Sequence, residues 1–368
     1  MTARVKNAVS AFGRALLSFG LLALLTYIFR NELGRSFEKI RYALPLPLVL
    51  AAVWYVIFIF ISAWRWQILL RARGLRFSTW YLARVFTLGL FFCKLLPTSI
   101  GGDVMRIAYT APKGRSAEAF SATFLDRLIG FVSLTSLAVA VAVVLCFSTP
   151  AWRGLSVTLG SMALNGTTVV LLLAAVLLLL VLGTLVLFND AAHRLAVRLF
   201  GGVRVLNIGS TLDRAYGAVK QYRHDLGALA MSFVSGLGVQ AALSFSWFHA
   251  AQAIGGMVPL AYYFVMIPLL NIIVNIPSIG GLGVREASFS AFYVFFSGPL
   301  NAVQQTEAKA TAIAVALLFL ALDLVFALAG GVLFAVTRRK TDMATGGDTP
   351  ADIAKKEDGS ATSSQTEH

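Results

Sequence analysis

The sequence predicts an all-α polytopic membrane protein, with about six spanning helices and two re-entrant broken-helix hairpins in an inverted-topology repeat. Three observations carry this expectation. Of 368 residues, 58% are hydrophobic and only 13% charged, and the mean hydropathy is +0.78, which excludes an ordinary soluble domain. Apolar runs long enough to cross a hydrocarbon core of about 30 Å, which takes roughly 20 helical residues, recur along the chain. The string S-I-G-G-x-x-x-R occurs twice, as Ser99-Ile100-Gly101-Gly102-Asp103-Val104-Met105-Arg106 and as Ser278-Ile279-Gly280-Gly281-Leu282-Gly283-Val284-Arg285. Each copy follows a proline (Pro97, Pro277) and ends a strongly apolar run. The runs are continuous, so helices are expected; a barrel would show short alternating segments of about ten residues.

A basic segment, 1–14, leads into a first span at 15–29. Arg30-Asn31-Glu32 follow it where a cleavable signal would carry small residues, so this span is expected to stay as an anchor. A second run, 45–64, is closed by Arg65, Arg71, Arg73 and Arg76, and further spans are expected at 128–147, 168–188, 227–254 and 310–336. The stretch 80–97 differs, because Arg84 and Lys94 leave only 85–93 uncharged, too little to cross; it reads as half a hairpin. Residues 257–279 are long enough, but Pro268, Asn271, Asn275 and Pro277 interrupt them, and the run 287–296 is too short to return across. This pair reads as the second hairpin. The transmembrane domain is expected over 15–338, in halves 15–150 and 168–338, with a disordered cytoplasmic tail at 339–368 rich in Ser, Thr, Gly, Asp and Glu.

The net charge of +14 lies mainly between the apolar runs, a pattern that suits anionic headgroups and cytoplasmic loops and argues against nucleic acid. With a cytoplasmic N-terminus, and each hairpin entering and leaving by one face, the loops 64–84, 103–124 and 189–226 fall inside and hold 5, 3 and 6 Lys or Arg. The loops 148–167, 255–256 and 280–309 fall outside and hold 1, 0 and 2. The exception is a loop at 30–44, with Arg30, Arg35, Lys39 and Arg41 on the expected outer face, where headgroup contact is the only account. The first hairpin then opens to the cytoplasm and the second to the exterior. Inverted repeats of this kind recur in secondary transporters, whose substrates bind near the midplane beside broken helices.

Glycine pairs let a chain turn sharply, and helix N-termini just after each motif would offer N–H groups to an anion. Arg106 and Arg285 add full charges suited to bidentate phosphate binding. Ser99, Gly101, Gly102 and Arg106, with Ser278, Gly280, Gly281 and Arg285, are therefore the candidate substrate-binding residues, for an anionic or phosphate-bearing lipid. The plainer alternative is that both arginines snorkel to headgroups. Asp126 and Arg127 read either as a helix N-cap region with an interfacial ion pair or as a gating pair. Asp103 and Glu286 flank the glycine turns, where they pair with the arginines, take a cation or proton, or complement a helix dipole. Asp323, in the middle of the last span, costs about 2.5–3.5 kcal/mol there, and is read as a coupling site, a partner of Lys94, or a protonated acid. Trp64, Trp66, Trp80, Tyr81 and Trp152 read as interface belts, and Cys93 and Cys146 as packing residues.

Motifs for catalysis are thin. Gly280-Gly281-Leu282-Gly283 is neither G-x-G-x-x-G nor a P-loop, the four histidines and two cysteines give no metal-ligand spacing, and no cofactor is expected. An intramembrane lipid-modifying transferase using Asp103, Asp126 and Glu286 as general acid and base is the alternative to transport. An envelope-assembly factor is a further one. A homo-oligomer, or an enzyme of lipid synthesis as partner, is left open.

Leu96-Pro97 before Gly101-Gly102-Asp103 and Arg106, then Asp126-Arg127 with Gly130, then Ile276-Pro277 through Gly280-Gly281-Leu282-Gly283 to Arg285-Glu286, resemble the lysylphosphatidylglycerol synthase transmembrane family of flippase-like proteins. The likeness covers roughly 10–338. The family's best-known members resemble the flippase half of the multiple peptide resistance factor, and related stand-alone proteins are linked to hopanoid or glycolipid pathways. The resemblance implies a multi-pass protein of the bacterial inner membrane that moves an anionic lipid between leaflets. Only the polar tail follows Lys340, so aminoacyl transfer is not part of the expectation.

Overall fold

The computed structural model describes residues 30–95, 100–112, 114–153, 155–159, 162–187, 217, 219–274, 284–298 and 300–344. Among them five helices are long and apolar enough to cross a membrane: α2 (Pro45–Ala72), α5 (Ser116–Ser148), α7 (Gly166–Leu187), α8 (Leu226–Gln252) and α11 (Ala302–Ala344). They occupy the expected second to sixth spans; the first, 15–29, lies outside the described residues. Shorter helices complete the order: α1 (Arg30–Arg41), α3 (Thr79–Leu95), α4 (Ile100–Thr110), α6 (Pro150–Arg153), α9 (Leu260–Val274) and α10 (Val284–Phe296). A 3₁₀ turn, Gln221–His224, precedes α8.

The central pair is α2 and α8, packed antiparallel along their lengths. Within lipid the apolar surfaces of helices gain little by leaving the solvent, so small and polar residues hold them together. Ser246 Oγ donates to the Ala51 carbonyl (2.8 Å), Ser232 Oγ to that of Arg65 (3.3 Å), and Trp54 stacks on Phe245 (4.5 Å between centroids). Pro45 starts α2 with its φ already set for a helix, and Gly74 ends it at φ +70°, letting Leu75 N–H close on the Leu70 carbonyl (2.9 Å). Gly255, at φ +76°, ends α8 in the same manner, with Gly256 N–H on the Ala251 carbonyl (2.8 Å).

Contacts at the two ends of this pair fix the direction of everything else. At one end, Leu44 N–H donates to the Ala253 carbonyl (2.7 Å), Lys39 pairs with Glu307 (3.2 Å), and Trp152 stacks on Tyr262 and Phe296 (both 5.6 Å). At the other, Arg73 pairs with Asp225 and bonds Gln221 (2.8 Å), Arg115 donates to the Arg73 carbonyl (2.6 Å), and Tyr222 donates to the Leu69 carbonyl (2.8 Å). The first hairpin, α3–α4, starts and finishes at the Arg73 end, where Tyr81 OH reaches the Tyr109 carbonyl (2.8 Å). The second, α9–α10, starts and finishes at the Leu44 end, where Met257 N–H reaches Tyr293 OH (3.2 Å). α3 has 17 residues and α9 has 15, so at 1.5 Å per residue each runs only about 20–25 Å before the chain turns back. The two hairpins open toward opposite ends, as the charge pattern predicts.

Several boundaries differ from expectation. The stretch 30–44 is not a loop but mostly α1, laid against α11 with Ser36 Oγ donating to the Ala310 carbonyl (2.9 Å). α5 begins at Ser116, not at 128, because its charged residues find buried partners and no helix breaker stands before them. Pro268 lies inside α9 and does not end it; the helix continues to Val274. Ser156–Leu159 and Met162–Asn165 pair as two antiparallel strands, between helices on either side among the described residues. The last helix passes 338 to Ala344, since no Gly or Pro intervenes before Gly346. The remaining tail lies outside the described residues.

Candidate functional site

Two clusters of buried charge sit inside the helices, each organised around one carboxylate. In the first, Asp126 on α5 is 1% exposed and accepts from Arg65 Nε on α2 (2.7 Å) and Arg106 Nη2 on α4 (2.8 Å). Asp103, one turn before Arg106, lies 3.6 Å from its guanidinium and also pairs with Arg127. Three arginines thus face two aspartates. The Arg106 guanidinium lies over the rings of Trp66 (4.2 Å) and Phe86 (5.4 Å), and its Nε has no hydrogen-bond partner among the described residues although it is buried. Gly130 makes room for Arg65, since a Cβ there would stand 3.2 Å from the guanidinium.

In the second, Asp323 on α11 accepts from Lys94 Nζ (2.5 Å), Arg285 Nη1 (2.9 Å) and Tyr55 OH (2.6 Å). Arg285 turns its remaining edge to Glu286, with Nε and Nη2 each 3.2 Å from Oε1. Lys94 is the penultimate residue of α3 and Arg285 the second of α10, so the far ends of both hairpins meet at this carboxylate. Taking a carboxylate out of water costs several kcal/mol, and attraction offsets this only when the lone pairs are filled by donors. Both aspartates meet that condition. Tyr55 and Arg65 lie ten residues apart on α2, which places the clusters roughly 15 Å apart along its axis.

Most of the expected site residues fall into these clusters. Arg106, Asp103, Asp126 and Arg127 are together in the first; Arg285, Glu286 and Asp323 are together in the second. The arginines do not snorkel, and of the readings for Asp323 the pairing with Lys94 is the observed one. Asp126 and Arg127 are not at an N-cap: they lie ten and eleven residues inside α5. Gly101 and Gly102 do not form a turn but occupy the first turn of α4, where a Cβ on Gly102 would come within 2.5 Å of Cys93 Sγ and 2.7 Å of the Gly89 carbonyl. Gly102 serves close approach of the two hairpin helices. Ser99, Ser278, Gly280 and Gly281 lie outside the described residues.

Three partners escape sequence reading. Arg65 reads as the closing charge of a span, Tyr55 as one apolar-run aromatic among many, and Trp66 as part of a belt, yet Trp66 is fully buried against Arg106. Trp152 is likewise fully buried, whereas Trp64 and Trp80 are exposed as belt residues are. No local signal marks Arg65, whose partner Asp126 lies 61 residues further along the chain, while the neighbouring Arg127 pairs with Asp103 instead.

Taken together, these features define a polytopic helical membrane protein with two opposed re-entrant hairpins and paired charges buried at membrane depth. The lysylphosphatidylglycerol synthase TM region family matches residues 11–331, and the chain belongs to that family. No curated protein and no solved structure matches it.

Proposed function

We propose that this protein moves an anionic, phosphate-bearing lipid between the leaflets of a bacterial cytoplasmic membrane, using the two hairpins as opposed half-gates. The observation that carries the reading is the first cluster: three arginines facing two aspartates among the helices, with a buried Arg106 guanidinium N–H that no group among the described residues satisfies. A buried donor without a partner is costly, and a phosphate oxygen is a fitting acceptor. Arg106 is held at two points, by Asp126 and by the Trp66 face, so a phosphate can approach Nε without releasing it. Lys94, Arg285 and Asp323 hold the hairpin tips together, and exchange of those pairs would let one hairpin part from the other. Membership of the family supports a lipid-related role.

The transferase alternative is less well supported. Asp103 and Asp126 belong to one cluster and Glu286 to the other, and each carboxylate is engaged by an arginine, which leaves none poised to exchange protons with a substrate. Reconstitution in liposomes with a fluorescent phosphatidylglycerol, read by bleaching of the outer leaflet, tests the proposal. Wild-type protein is expected to equilibrate the reporter, and Arg106→Gln to slow it by roughly tenfold or more, given one lost charge-assisted contact. An unchanged rate in a folded Arg106→Gln, Arg285→Gln protein refutes the site, and a changed lipid mass points to transferase chemistry instead.

A further inference from the structure

At the Leu44 end, away from both charge clusters, the molecule carries two adjoining cavities of about 500 and 420 Å³ that share Lys39, Gly255 and Glu307 in their walls. Their chemistry differs. The first carries two cations, Arg35 and Lys39, and two carboxylates, Glu38 and Glu307, beside Tyr42, Leu44, Ala253 and Ile254. The second is walled largely by apolar groups, among them Val258, Pro259, Tyr293, Phe296 and Leu300. A charged chamber continuous with an apolar one fits a molecule that is itself anionic at one end and greasy at the other.

We infer that these two cavities form a binding site for an anionic phospholipid, with the headgroup phosphate between Arg35 and Lys39 and the first part of an acyl chain along Val258, Pro259, Tyr293 and Phe296. The inference rests on the lipid-handling reading above and adds to it the place where lipid is captured at one face. Glu307 is the group that holds the site closed: it lies 3.5 Å from Arg35 Nη1 and 3.2 Å from Lys39 Nζ, and its side chain is half exposed. Ion pairs this exposed are weak, and a phosphate offering more acceptor oxygens than one carboxylate competes for the same two cations. The helix that supplies them is suited to the membrane surface. α1 leaves Phe37 62% exposed and the adjoining Tyr42 72% exposed, while Ser36 anchors its opposite side on α11. The basic stretch 30–44, which the loop-charge pattern left without a partner, thereby acquires one.

The test uses the full chain in phosphatidylcholine nanodiscs, with a phosphatidylglycerol carrying a photoreactive diazirine near its glycerol backbone, followed by peptide mapping. Adducts are expected on the segments around residues 39–44 and 255–260. Arg35→Ala with Lys39→Ala should lower their yield by about fivefold, and Glu307→Gln should raise it by about twofold, because it frees both cations. A folding defect cannot produce the gain. The site is overturned by equal yields in wild type and the Arg35, Lys39 variant, by equal labelling from a photoreactive phosphatidylcholine, or by complete competition from soluble glycerol phosphate, which would mark a site for small anions only. Arg106→Gln should leave these adducts unchanged; absence of translocation by the wild-type protein with intact adducts would sink the proposed transport and leave this site standing.

Discussion

Asp323 and Asp126 show how charge is made tolerable inside the hydrocarbon layer. Removing one member of a buried pair leaves the other uncompensated, at a cost of about 3–5 kcal/mol. Asp323→Asn, which strands Lys94 and leaves Arg285 with Glu286 alone, is expected to lose stability of that order, measured as thermal unfolding in detergent. Adding Lys94→Met should recover part of it, since one stranded charge goes. Trp66→Leu removes the ring that supports Arg106, an interaction of about 2 kcal/mol when desolvated, and leaves a cavity at a fully buried position, so it should slow lipid translocation and lower the melting temperature together. At this scale the sequence is legible where charge stands out against an apolar background, as it does for Arg106, Arg285 and Asp323. Tyr55 and Trp66 remained hidden because an aromatic in an apolar run looks the same whether it faces lipid or a guanidinium.

At the scale of elements, α3 is gripped from two sides. Gly102 of α4 abuts Gly89 and Cys93 on one side, while on the other Gly330 and Gly331 of α11 abut the Thr87 carbonyl and the Phe91 ring. Gly102→Ala and Gly330→Ala each force backbone apart and should destabilise by about 1–3 kcal/mol, whereas Gly183→Ala, with nothing within 4 Å of its Cβ, should be neutral or slightly stabilising in the same unfolding assay. The short reach of α3 was legible because Arg84 and Lys94 bracket too few apolar residues to cross. The true start of α5 was not, because Asp126 and Arg127 read as the water-facing edge of a span. The partners of Asp126 come from 20 and 61 residues upstream and that of Arg127 from 24, and no local pattern encodes such pairs. For the second hairpin one local reason fails, since Pro268 does not interrupt α9; Asn275 and Pro277 lie outside the described residues, and the short return run is α10, which Tyr293 fixes at the Leu44 end.

For the whole molecule, the arrangement of loops at two ends follows from counting Lys and Arg between apolar runs, and the contacts agree with the count. Arg73, Arg115 and Asp225 gather at one end; Leu44, Ala253 and Glu307 gather at the other. Helical hairpins that open to opposite ends and meet at the Asp323 carboxylate are the arrangement that the proposed pair of opposed half-gates requires. The direct measurement is the sidedness of single cysteines placed at Arg115 and Asn301, in a Cys93→Ala, Cys146→Ala background, probed with an impermeant maleimide in sealed vesicles. The account predicts that one position reacts before the membrane is opened and the other only afterwards; reaction of both from the same side would contradict the opposed hairpins and the alternating access built on them.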